Sequence, residues 1–159
     1  MWLTIAAIQT VHPKNGLPIC SHGPWRVDKV VHSEAEWKKL LTPTQVAILR
    51  RGHDEAPFSS PFVSEFRQGT LYCAACGEPL FSTDSEYNSG SGWPSFFRPA
   101  SANSVWLKLE TLNGVTHTGV YCARCDGYLG RVYADGPVDR GGLRYVINGG
   151  ILQFKSTMH

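Results

Sequence analysis

Tyr72-Cys73-Ala74-Ala75-Cys76-Gly77-Glu78-Pro79-Leu80 and Tyr121-Cys122-Ala123-Arg124-Cys125-Asp126-Gly127-Tyr128-Leu129 are two copies of one phrase. Each reads as a strand that enters a knuckle and leaves by a turn. C-x-x-C lets one tight loop supply two thiolates to one ion, and Zn²⁺ favours four such sulfurs in a tetrahedron. Residues 77–121, a stretch of 45, separate the pairs. That is too long for a single finger, but it suits one ion that clamps two distant hairpins. A redox C-x-x-C would come once, at a helix start, rather than twice at strand ends. Four thiolates leave no open coordination position, so one structural Zn²⁺ held by Cys73, Cys76, Cys122 and Cys125 is expected.

Outward from the knuckles the text is strands and turns. Thr70–Tyr72, Ser104–Leu109, Gly119–Tyr121, Arg131–Tyr133, Leu143–Ile147 and Ile151–Phe154 are strand candidates. Asn113-Gly114, Asp135-Gly136-Pro137, Gly141-Gly142 and Gly149-Gly150 punctuate them. Upstream, Ser33 and Glu36, then Thr42 and Gln45, have the spacing of reciprocal helix caps. Pro43 suits a first helical position, and Gly52 suits a stop. Two short helices in series follow, with Trp37, Leu40 and Leu41 as the apolar face of the first. Residues 56–70 read as loop. Residues 1–30 read as an N-terminal extension, and 31–159 as one zinc-binding β domain.

At 159 residues the chain fits one domain. It is 42% hydrophobic and 18% charged, enough to fill a core. Fifteen basic and thirteen acidic residues leave a net charge of +2, with no basic run beyond a pair. That excludes non-specific nucleic-acid binding and a polybasic membrane patch. The apolar start, Met1 to Ile8, is far short of the roughly 20 residues of a membrane span and lacks a basic flank. Paired thiols with Cys20 as the odd one fit a reducing cytoplasm better than a disulfide framework.

Further blocks carry a resemblance. Ser89-Gly90-Ser91-Gly92-Trp93-Pro94-Ser95-Phe96, Asp135-Gly136-Pro137 and Leu143-Arg144-Tyr145 stand in order around the two knuckles. Glu36-Trp37, Leu41-Thr42-Pro43 and Ala56-Pro57-Phe58-Ser59 precede them. Over about residues 30–155 the chain resembles the methionine-R-sulfoxide reductases of the B type. The resemblance implies a mainly β, tent- or barrel-like fold of two antiparallel sheets tied by structural zinc, with short N-terminal helices. It also implies a thiolate that attacks the sulfoxide sulfur and is later resolved by a second thiol.

Three positions depart from that pattern. The attacking cysteine would stand at Val146, and the two active-site histidines at Tyr128 and Arg131. Trp93, Asp135, Arg144 and Asn148 match. Loss of reductase chemistry is therefore expected. The leading reading is a pocket turned to non-redox acid–base work (isomerisation, cyclisation, elimination or hydration) on a small polar or anionic molecule. Asp135, Arg144, Tyr128 and Arg131 would be catalytic, with Trp93, Phe96, Val146 and Asn148 binding substrate. Two alternatives stay open: a non-catalytic module for a small-molecule or methionine-containing ligand, and a peptide-methionine (R)-S-oxide reductase using Cys20 or an external thiol. His12, His22, His32 and His53 lie in segments able to fold over the pocket, whereas His117 is expected at the surface.

Overall fold

A computed structural model describes residues 9–11, 18–20, 26–65 and 67–157, the first two stretches as backbone. The extension contributes β1 (Gln9–Val11) and β2 (Pro18–Cys20), an antiparallel pair the sequence did not announce. Arg26 then reaches the Glu78 carboxylate at 2.8 Å, Lys29 reaches Asp126 at 2.6 Å, and Val30 N–H donates to the Arg124 carbonyl. The segment just before residue 31 is thereby fastened to both knuckles.

Two helices follow where the caps place them. In α1 (Glu34–Leu40) the Ser33 N–H donates to Glu36 at 2.7 Å, and the Glu36 N–H donates back to the Ser33 hydroxyl. Thr42 and Gln45 repeat the exchange at α2 (Pro43–Arg51), which ends at Gly52 with φ +72°. Trp37 and Leu41 are buried as expected. Leu40 is not: as the last residue of α1 it faces out, 60% exposed.

The body holds the expected six strands and three short ones besides. They are β3 (Gly69–Cys73), β4 (Pro79–Ser82), β5 (Glu86–Tyr87), β6 (Ser95–Phe96), β7 (Val105–Leu112), β8 (Val115–Cys122), β9 (Tyr128–Tyr133), β10 (Arg144–Ile147) and β11 (Leu152–Ser156). A six-stranded sheet runs β5-β6-β10-β9-β8-β7, and a three-stranded one runs β11-β3-β4. All pairings are antiparallel. This is the mainly β, two-sheet architecture expected. The strands β4, β5 and β6 are two to four residues long, too short for alternation to show in sequence. The core lies between the sheets and α2. Leu71, Phe81, Phe96, Val120, Leu129, Val132 and Ile147 are sealed within it together with Ile48 and Leu49.

β3 ends in the first knuckle and β8 in the second, so the repeat joins the two sheets. Both turns share one hydrogen-bond scheme. Cys73 N–H donates to Glu78 O and Gly77 N–H to Cys73 O; Cys122 N–H donates to Gly127 O and Asp126 N–H to Cys122 O, each at 2.8 Å. Gly77 and Asp126 occupy the same left-handed position, φ +80° and +61°. Asp is one of the few side-chain-bearing residues that accept that conformation readily.

Among the described residues no helix is long and apolar enough to cross a membrane.

Candidate functional site

The four sulfurs lie within 4.8 Å of one another. Cys73 and Cys125 Sγ are 3.8 Å apart, and Cys76 and Cys122 Sγ are 3.5 Å apart. A tetrahedron of Zn–S bonds near 2.3 Å has edges of about 3.8 Å, so the donor set fits zinc. Cys73, Cys122 and Cys125 are buried and Cys76 is half-buried. An ion held by these four thiolates would be structural, tying the two sheets together with no coordination position left for substrate.

A second site sits on the exposed side of β9 and β10. In an antiparallel pair, facing residues stand on one side of the sheet. Arg131 faces Val146 and Tyr133 faces Arg144. Asn148 follows two residues after Val146. Trp93 arrives from the loop of residues 88–94 between β5 and β6, where Gly92 has φ +90° and a Cβ would fall 2.7 Å from Pro57. Together Asp54, Trp93, Arg131, Tyr133, Val146 and Asn148 enclose a recess of about 70 Å³.

The loop after α2 holds both walls of this recess. Trp93 Nε1 donates to the Glu55 carbonyl at 3.0 Å. The Glu55 carboxylate accepts from Gly149 and Gly150 N–H, each at 2.8 Å, and Glu55 N–H donates to Asn148 Oδ1 at 2.9 Å. Asp54 Oδ1 accepts from the Tyr128 hydroxyl at 3.0 Å and from Asn148 Nδ2 at 3.1 Å. Its Oδ2 lies 3.7 Å from the Arg131 guanidinium. Asp54, Glu55 and Tyr133 were missed in the sequence. Ser60, buried, caps the turn at Pro61–Ser64 nearby.

Not every expected site residue joins the recess. Trp93, Val146, Asn148 and Arg131 do. Tyr128 is buried outside the recess and meets it through its hydrogen bond to Asp54; burial, with the Asp54 charge, pushes its phenol well above the ordinary value, so it donates a hydrogen bond rather than exchanging a proton. Phe96 is 0% exposed and stacks on Phe81 at 4.4 Å, on the core side of the sheet. Arg144 and Asp135 close on each other at 2.9 and 3.1 Å. They line a separate open depression with Tyr87 and residues 88–91. The Arg144 guanidinium holds the Asp135 carboxyl below the usual range, which makes Asp135 a poor base.

The histidines stand elsewhere. His32 meets Trp37 edge-on, 4.7 Å between ring centres, and His53 is exposed outside the recess. His117 faces Glu110 across β7–β8, in a polar groove beside α2. His12 and His22 fall outside the described residues, as does the side chain of Cys20 at the end of β2. The backbone of β2 lies alongside β7. The sheet order puts β7 three strands from β10, about 14 Å at the usual spacing.

A SelR domain matches residues 41–156. A peptide methionine sulfoxide reductase MsrB of Bradyrhizobium diazoefficiens is 44% identical over 128 residues, covering 80% of this chain and 91% of that protein. Proteins of the same name from Agrobacterium fabrum (42%, covering 80% and 93%) and Methanosarcina barkeri (45%, covering 80% and 89%) are similarly close.

These likenesses overturn the expectation of a non-redox acid–base enzyme with its reductase chemistry lost. Relatives with more than two fifths of their residues in common, over four fifths of the chain, bear a reductase's name. The geometry agrees, since the base and the anion-holding arginine which that reading required, Asp135 and Arg144, are tied to each other outside the recess. On the matched domain and these relatives, the chain belongs to the SelR family, the B-type methionine sulfoxide reductases.

Proposed function

We propose that the protein is a peptide-methionine (R)-S-oxide reductase whose attacking thiol reaches the Trp93 recess from outside its walls, supplied by Cys20 or by an external thiol. The size and two-sided chemistry of the recess carry this reading. At about 70 Å³ the recess is small and open on one side, a place for a side-chain head such as a methylsulfinyl group. The Trp93 ring and the Val146 isopropyl group offer apolar contact to the methyl. The Arg131 guanidinium, facing Val146 in register, offers donors to the oxygen. The relatives' name supplies the substrate class.

The step balances with two thiols. One thiol sulfur attacks the sulfoxide sulfur, the oxygen leaves as water after taking two protons, and the second thiol then attacks the first sulfur, so that the thioether leaves as the disulfide closes. The sulfoxide is reduced to the thioether by two electrons, and the thiol pair is oxidised by the same two. Val146 supplies neither electrons nor a proton, so it serves as floor, and the incoming thiol crosses it. Zinc, held by four thiolates, takes no part. Residues 31–159 carry the activity as one unit, with 1–30 as an extension that bears Cys20. A reducing cytoplasm suits four thiolates kept as metal ligands.

The test is turnover of a methionine-R-sulfoxide peptide by zinc-loaded protein with dithiothreitol. Turnover of the R epimer alone, lost in Trp93→Ala, is the expected result. Loss in Cys20→Ser assigns the thiol to the chain, and retention assigns it to the reductant. Absence of product from folded wild-type protein overturns the reading.

A further inference from the structure

Asp54 sits where the sequence offers no pattern, yet Tyr128 and Arg131 of β9 and Asn148 just past β10 converge on it. Tyr128 and Asn148 donate to Oδ1, while Oδ2 faces Arg131 at 3.7 Å, too long for a hydrogen bond but within range of an ion pair. The five N–H donors of Arg131 are therefore not spent on Asp54. The neighbouring charges, Arg144 and Asp135, already balance each other. Arg131 is the cation at the recess that Asp54 is left to balance.

An unbalanced guanidinium beside a recess of this size would attract any small anion. A carboxylate beside it cancels most of the net field and leaves the donors in place. We infer that Asp54 is the specificity-determining residue of the recess: it offsets the Arg131 charge, so that a neutral sulfinyl oxygen is accepted and sulfinate, sulfonate or carboxylate anions of similar size are turned away. The inference rests on reading the recess as a methylsulfinyl site. It makes Asp54 a positioning group and leaves the contact with the oxygen to Arg131.

The experiment is calorimetric titration of the full zinc-loaded chain with two probes, an N-acetylated, C-amidated methionine-R-sulfoxide and the methanesulfinate anion. Wild type is expected to prefer the sulfoxide. Asp54→Asn keeps an acceptor for Tyr128 and Asn148 and removes the charge. It is expected to tighten methanesulfinate about fivefold or more relative to the sulfoxide. In Asp54→Asn/Arg131→Gln the gain is expected to vanish. An unchanged ratio in Asp54→Asn, or a gain that survives removal of Arg131, overturns the inference. A purely structural role would weaken both probes together and leave their ratio still. Should Asp54→Asn fail to melt cooperatively, Asp54→Ser is put through the same titrations under the same criteria. A ratio that shifts in a protein without turnover overturns the reductase reading alone; turnover without a shift overturns this inference alone.

Discussion

Replacing Glu86 by Gln should stabilise the protein above pH 8 and do nothing below pH 4.5. Glu86 stands on β5 opposite Phe96, and among the described residues neither of its buried carboxylate oxygens has a hydrogen-bond partner. Burial pushes its carboxyl up to about 8, and the Glu65 charge adds to the shift. The Glu65 backbone tempers it without reaching hydrogen-bonding geometry. A folded-state value above the unfolded one means that the native fold favours the protonated form. Stability is then full below pH 4.5 and drains away as pH rises to 8. The gap from 4.5 to about 8, at about 1.4 kcal/mol per pH decade, sets a ceiling near 5 kcal/mol. The residue is only half-buried, and solvent screening lowers this to about 1–2 kcal/mol. For a chain of this length that is a melting-temperature gain of about 3–6 °C for Glu86→Gln at pH 8.5. The readout is the difference in urea midpoint between variant and wild type at pH 4.5, 6.5 and 8.5, which removes the pH dependence of zinc binding common to both. A difference that does not grow with pH refutes the reasoning.

Val146→Cys puts a thiol on the recess floor facing a guanidinium, which favours the thiolate; sulfoxide reduction with dithiothreitol should rise at least tenfold, and an unchanged rate would remove Val146 from the reacting centre. Cys122→Ser should abolish stoichiometric zinc by elemental analysis and replace the single melting transition by a broader one at lower temperature, since such sites contribute on the order of 10 kcal/mol; a zinc-free variant that melts like wild type contradicts the structural role. Asn148→Ala strips partners from Glu55 N–H, Asp54 and the Leu129 carbonyl. It should cost about 2–3 kcal/mol, seen as a melting point lower by about 5–10 °C, and raise KM for a sulfoxide peptide.

What could be read directly was whatever repeats or is local. The Cys-Ala-x-Cys phrase announced the metal centre, and Ser33/Glu36 and Thr42/Gln45 announced the helices, because their partners lie three residues away. Two-residue alternation puts Arg144 and Val146 on one face of β10, yet only Val146 lines the recess: Arg144 lies over the Tyr133 ring, 4.6 Å from its centre, and pairs with Asp135. Phe96 was misplaced because the alternation of a two-residue strand has no readable phase. Asp54 and Glu55 were invisible because their roles come from partners 38 to 95 residues away. The departures at Tyr128, Arg131 and Val146 were plain in the sequence, but they say which group is missing, not whether another brings it.

Because β3 and β8 belong to sheets that, among the described residues, share no backbone ladder, the sulfur cluster spans a seam that no ladder hydrogen bond crosses. Amide exchange should therefore report a single cooperative unit in the loaded protein. Chelation should split it, with β11-β3-β4 opening at lower free energy than the larger sheet. In this fold the ion sets less how strongly each sheet holds together than whether the two come apart as one event or two.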